Sequence, residues 1–181
     1  MLENLEDVIL FASLAHKDQL MMDPEVPYLT HLISVASNVL EAYHNGKEKF
    51  DLDVALKLAI LHDTIEDTNV TYDDIKERFG EKIADGVLAL SKNESLPYGD
   101  RLEDSIARIK ASYKEVAIVK MADRLNNLMI RPKNWNDDKW NNYLMLSKYL
   151  VNNLADANRY LAVKLDEKIL NYRSNTVSRW Y

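Results

Sequence analysis

The chain has no cysteine among its 181 residues. Disulfides and thiolate metal ligands are therefore excluded, and any metal must be held by histidine and carboxylate. It has four glycines and four prolines, too few for a turn-rich all-β architecture and in keeping with helices joined by short connections. No apolar run reaches the ~18 residues needed to span a bilayer. Residues 1–7 are acidic rather than basic, unlike a secretory leader, so a soluble cytoplasmic protein without a membrane partner is expected. Positive charge is also in deficit. A formal net charge of −6 argues against wrapping nucleic acid, which needs a basic face, yet it leaves room for a small anionic ligand in a locally positive pocket.

What the chain does have is helical periodicity almost throughout. Leu5, Val8, Ile9, Ala12 and Ala15 form the first apolar stripe, which should end before Pro24 and Pro27. A second helix is expected over about 28–43, stopping near Asn45-Gly46, and a third from about Asp53 carries a His-Asp doublet at its C-terminal end. Thr71 and Asp74 read as a capping box opening a helix to Phe79, closed by Gly80. Further helices follow at about 81–90, 102–111, 116–128, 137–151 and 157–172. Residues 92–99, containing Pro97, read as an exposed loop. No segment alternates with period two for long enough to propose a strand. An all-α bundle of about eight to ten helices in one domain, 1–181, is the expectation, with a tail at 173–181.

The most informative stretch is His62-Asp63-Thr64-Ile65-Glu66-Asp67, which ends an apolar run. On a helix His62 and Glu66 share a face, as do Asp63 and Asp67, so one turn would carry an imidazole and three carboxylates. Carboxylates crowded in this way repel unless positive charge lies between them, and beside a histidine a metal ion is the usual source. Adjacent helical residues point about 100° apart, so His62 and Asp63 can share an ion only where the helix bends or ends. Two residues elsewhere could complete such a site. His31 by itself reads first as a core histidine bonded to a backbone carbonyl. Asp123, in mid-helix, must be paired if buried, and a distant Lys or Arg would serve as well as a metal.

Together these residues resemble the HD superfamily of metal-dependent phosphohydrolases, whose order of H, then HD, then D appears as His31, His62-Asp63 and Asp123. Pro27-Tyr28-Leu29-Thr30-His31, Leu61 through Thr68, Phe79-Gly80 and Val119-Lys120-Met121-Ala122-Asp123-Arg124 are similar to the hydrolase domain of the RelA/SpoT family and its stand-alone small alarmone hydrolases. The core motifs span 12–128, and 134–172 resembles the C-terminal helices of stand-alone members. The resemblance implies an all-α HD-domain fold and a 3′-pyrophosphohydrolase acting on guanosine tetra- or pentaphosphate with Mn²⁺. It implies His31, His62, Asp63 and Asp123 as the ligands of one divalent ion. Glu66 and Asp67 match the acidic pair that activates or positions water, and Asn127 a contact to the nucleoside sugar. Lys17, Lys120 and Arg124 are candidates to balance phosphate charge. His16 falls in a pocket-lining segment with a structural role expected; His44 reads as a surface residue. Mixed nitrogen and oxygen donors suit Fe²⁺ and Zn²⁺ as well as Mn²⁺.

The departures concern the base. Where family members place an Arg-Lys pair that grips guanine, this chain has Met21-Met22, and Met129-Ile130 stands where an Arg-Thr type contact is usual. The loop after 81–90 reads Ser91-Lys92-Asn93-Glu94, so a phosphate-holding charge has moved or been lost. An adenosine alarmone or a 2′- or 3′-phosphorylated dinucleotide is therefore a rival substrate. A decayed, non-catalytic nucleotide sensor is a further rival, opposed by the intact Glu66-Asp67 pair. Trp135, Trp140, Tyr143 and Tyr149 read as core before they read as an interaction surface.

Overall fold

In the computed structural model, residues 4–21 and 25–177 are described, with side chains up to Tyr172. Among these residues the regular structure is helical: α1 (Leu5–Ala15), α2 (Leu29–Asn45), α3 (Leu52–Leu61), α4 (Thr64–Asp67), α5 (Tyr72–Phe79), α6 (Glu81–Leu90), α7 (Arg101–Ala111), α8 (Lys114–Asn127), α9 (Asp137–Leu154) and α10 (Arg159–Val177), with a 3₁₀ turn at Ala155–Ala157. The all-α expectation holds. None of these helices is long and apolar enough to cross a membrane.

Two helices form the centre. Every residue of α3 from Val54 to Leu61 except Lys57 is buried, and α8 is buried over Glu115 to Asp123. A helix apolar on nearly all sides must be covered on all sides. Accordingly α2 packs against both, α1 and α6 cover α3, and α7, α9 and α10 cover α8. On α2 the apolar residues Leu32, Val35, Ala36, Val39 and Ala42 recur at three- and four-residue steps and are buried. The α6–α3 contact depends on Gly86, where a β-carbon would lie 2.6 Å from Leu58 Cδ2 and 2.2 Å from Tyr113 Oη.

The helix ends follow local chemistry. Asp51 accepts a hydrogen bond from Val54 N at the start of α3, and the Thr71–Asp74 capping box opens α5 as expected. Gly80, at φ 89°, turns the chain from α5 directly into α6. The connection from α1 to α2 is pinned by Met21 N to Val26 O at 2.9 Å and Tyr28 N to Gln19 O at 3.0 Å, which brings Gln19 and Tyr28 to the start of α2.

Three expectations change. The third helix ends at the His-Asp doublet as expected, but α4 restarts at Thr64, so His62 and Glu66 do not stack on one helix face. The region read as a tail begins inside α10, which runs to Val177; 178–181 lie outside the described residues, as do Met22 and Pro24. Tyr149 is 44% exposed, so it is not a core residue, whereas Trp140 is 3% exposed.

Candidate metal centre

The interruption between α3 and α4 is what lets two neighbouring residues converge. Asp63 adopts φ −101°, ψ 0°, the sparsely used region between helix and strand. Thr64 Oγ1 donates to Leu61 O at 2.6 Å and satisfies the carbonyl exposed by the break. With the turn opened, His62 Nε2 lies 2.8 Å from Asp63 Oδ2. From α2, His31 Nε2 comes within 3.3 Å of His62 Nε2 and 3.5 Å of Asp63 Oδ2. From α8, Asp123 Oδ1 stands 3.4 Å from His31 Nε2 and 3.7 Å from His62 Nε2. His31, His62 and Asp63 present donor atoms within 4.8 Å of one another.

Each imidazole gives its other nitrogen to an acceptor outside the cluster: His62 Nδ1 donates to Ala59 O at 2.9 Å and His31 Nδ1 to Asn126 Oδ1 at 2.8 Å. That fixes both rings with Nε2 facing inward, the arrangement metal-binding histidines require. Two inward nitrogens this close, beside two carboxylates, need positive charge among them. The donor set therefore fits a divalent cation with nitrogen and oxygen preference. Without a metal, protons take that role. Burial opposes charge on His31, but Asp123 and Asp63 outweigh it and push the ring up to about 9. Burial likewise opposes charge on His62, and the same two carboxylates push it up to about 10. Burial alone would raise Asp63 and Asp123; the His62 imidazole for the first, and Lys120 for the second, hold them below the usual carboxylate range.

The carboxylates are also gripped from outside. Tyr28 donates to Asp63 Oδ2 at 2.6 Å, and Asn127 Nδ2 donates to Asp123 Oδ1 at 2.5 Å, with Lys120 Nζ 3.5 Å from Asp123 Oδ2. Burial and the charge of Asp63 raise the Tyr28 hydroxyl above its ordinary range, so it remains a donor.

These groups open into a cavity of about 650 Å³. Asp63, Glu66, Asp67 and Asp123 line it together with Lys92, Lys120 and Arg124, and Met21, Val26, Met129, Ile130, Pro132 and Trp135 add apolar lining. Glu66 does not face His62 along a helix. It accepts Lys92 N–H at 2.8 Å and pairs with the Lys92 ammonium. Asp67 accepts from Gln19 Nε2 at 3.0 Å, and Gln19 in turn takes His16 Nδ1–H at 2.6 Å. His16 is buried, as a structural role requires, and His44 is exposed. Arg124 lies over the Tyr143 ring at 4.4 Å and donates to Ser147 Oγ at 3.1 Å. Lys17 is the candidate not brought to the cavity: its side chain is 70% exposed beside Asp18.

Trp135, expected in the core, lines the cavity, and the sequence assigns no site role to Tyr28, Gln19, Asn126 or Lys92. Tyr28 stands inside a quoted motif, a usable signal. Asn126 meets His31 across 95 positions, and no spacing rule connects them.

The HD domain model matches residues 9–138, which is more than half of the chain. The chain belongs to the HD-domain family. All four donors lie inside the HD match, and α10 lies beyond it. The chain is 31% identical over 171 residues to the guanosine-3′,5′-bis(diphosphate) 3′-pyrophosphohydrolase MESH1 of Danio rerio, covering 92% of each. It is 32% identical over 133 residues to the bifunctional (p)ppGpp synthase/hydrolase SpoT of Escherichia coli, covering 70% of this chain and 18% of SpoT. Among solved HD structures, one described as a metazoan ortholog of SpoT that hydrolyzes ppGpp superposes with a TM-score of 0.82 at 28% identity, over 94% of this chain and 96% of that one.

Proposed function

We propose that this protein removes the 3′-pyrophosphate from guanosine 3′,5′-bis(diphosphate) by metal-assisted hydrolysis. The observation that carries the reading is the convergence of His31, His62, Asp63 and Asp123, from three separate parts of the chain, with His31, Asp63 and Asp123 lining a cavity large enough for a nucleotide. The relatives named above for this activity support it. The proposal treats 1–181 as one domain, because α10 lies against α2 and α8.

When bound by those four residues, a divalent ion, Mn²⁺ in this proposal, supplies Lewis acidity toward a phosphate oxygen and lowers the pKa of a water. The chain supplies the rest. Glu66 and Asp67, held in place by Lys92 and Gln19, are the groups for accepting the water proton and returning one to the departing oxygen. Lys120 and Arg124 bring fixed positive charge to phosphate in a site whose protein charge is otherwise negative. Asn127 has its Nδ2 engaged with Asp123, which leaves its carbonyl oxygen for a sugar hydroxyl.

Incubating the Mn²⁺-loaded protein with guanosine and adenosine 3′,5′-bis(diphosphates), nucleoside 3′-phosphates and phosphorylated dinucleotides tests this, with products separated by chromatography. Pyrophosphate and guanosine 5′-diphosphate are the expected products. Intact guanosine 3′,5′-bis(diphosphate) after prolonged incubation with metal overturns the reading. A second reading, that the base is read loosely and the adenosine counterpart is also a substrate, is favoured by the cavity's apolar lining residues. Met21, Met129, Ile130 and Pro132 give a purine surface to rest on and no charged donor for its edge.

A further inference from the structure

Glu66 is occupied. One carboxylate oxygen takes the backbone N–H of Lys92, and the other takes its ammonium. A carboxylate engaged in this way is a poor proton acceptor, so a role for Glu66 in activating water requires that something release it. The two contacts differ in how easily they break. The backbone of Lys92 is fixed, because it follows Ser91, whose N–H and hydroxyl both bond Val87 O at the end of α6. The ammonium is on a flexible four-carbon stem, and the Lys92 side chain is 54% exposed against 11% for Glu66.

Lys92 lines the same cavity as Asp63 and Asp123. The other cations there are held in place: Lys120 is buried beside Asp123, and Arg124 is laid on Tyr143 and bonded to Ser147. A pyrophosphate group entering the cavity carries more negative charge than one carboxylate and competes for the cation that is free to swing.

We infer that Lys92 is an exchangeable cation: it holds Glu66 until substrate enters, then passes its ammonium to the substrate's pyrophosphate and frees Glu66 to take a proton from water. The backbone N–H keeps Glu66 in position throughout. The inference rests on the proposed hydrolysis and adds to it a residue that couples phosphate binding to the release of the base.

The test is calorimetric titration of inorganic pyrophosphate into the full-length Mn²⁺-loaded protein and into Lys92→Gln, Lys92→Arg and Lys92→Gln/Glu66→Gln, with circular dichroism and bound Mn²⁺ checked for each. Lys92→Gln keeps the backbone bond to Glu66 and is expected to bind pyrophosphate about tenfold more weakly. Lys92→Arg keeps the charge and should stay within about threefold. The double variant decides. If Lys92 transfers to the ligand, the double variant remains at least about fivefold weaker than wild type, since the ligand has lost a charged donor. If the pair is a fixed neutral unit, exchanging it for two neutral amides restores wild-type affinity and overturns the inference. Wild-type protein that hydrolyses guanosine 3′,5′-bis(diphosphate) while Lys92→Gln binds pyrophosphate normally overturns the role of Lys92 alone. Wild-type protein that neither binds pyrophosphate nor hydrolyses that nucleotide overturns this inference and the proposed function together.

Discussion

Asn126 lines the cavity, and its side-chain oxygen accepts His31 Nδ1–H at 2.8 Å, with His31 4% exposed. Replacing it with Ala removes the acceptor that sets which His31 nitrogen carries the proton. Loss of such an outer partner costs about 10- to 100-fold in metal affinity, or about 1.4 to 2.8 kcal/mol. The apoprotein should feel much less. Ala gains about 0.6 kcal/mol of helix propensity over Asn within α8, against about 1 kcal/mol for the lost hydrogen bond. The expected outcome of Asn126→Ala is thus a near-normal apo melting temperature, a Mn²⁺ affinity lowered by one to two orders of magnitude, and activity recovered at high free metal. Competition with a fluorescent chelator gives the affinity, and turnover against free Mn²⁺ gives the functional midpoint. Asn126→Asp should restore affinity, since a carboxylate is the stronger acceptor. An Asn126→Ala protein that binds metal within twofold of wild type, or that loses as much stability without metal as with it, would refute the reasoning.

Glu66→Gln should keep fold and metal but lose at least about two orders of magnitude in turnover, because the proton acceptor is gone while its shape remains; near-normal turnover would remove Glu66 from the chemistry. In the metal-free protein His31 and His62 are raised from the ordinary 6.5 to about 9 and about 10. Their contribution to stability is therefore present below about pH 6.5 and is lost as pH rises through 9 to 10. Chelated protein should show a melting temperature that declines over that window, with the Mn²⁺-loaded protein declining less. A flat profile for the chelated protein speaks against protons holding the empty cluster together. Gly86→Ala places a methyl 2.6 Å from the fully buried Leu58; overpacking of about 1 to 3 kcal/mol should exceed the roughly 1 kcal/mol of helix propensity gained, lowering the denaturation midpoint. For the base, kcat/KM for the guanosine and adenosine bis(diphosphates) should agree within about tenfold, since a charged bidentate contact to guanine, worth about 1 to 3 kcal/mol in nucleic-acid readout, has no donor at Met21, Met129 or Ile130. A guanine preference above a hundredfold would show that other residues read the base.

Much of this molecule was legible from the order of its residues, for a local reason in each case. Apolar residues at three- and four-residue steps marked α1, α2 and α9, the Thr71–Asp74 pair marked the start of α5, and Gly80 marked its end, because helix faces and caps are settled within a few residues. His31, His62, Asp63 and Asp123 stood out because each sits in a recognisable motif, and the tertiary structure brings the four together, with His31, Asp63 and Asp123 lining the cavity and His62 buried beside them. Other features had no local signature. The end of the helix at Asp63 was expected, but not that Glu66 would meet Lys92 and Asp67 would meet Gln19, 26 and 48 positions away. Asn126 finds His31 only because α8 packs against α2, and Tyr28 finds Asp63 only because the α1–α2 connection is pinned. Lys17, equally basic in sequence, ends in solvent. A residue's own chemistry and its neighbours along the chain fix which helix face it occupies and supply the near partners, Ala59 for His62 and Asn127 and Lys120 for Asp123; the distant partners, Asn126 for His31 and Tyr28 for Asp63, are decided by helix packing.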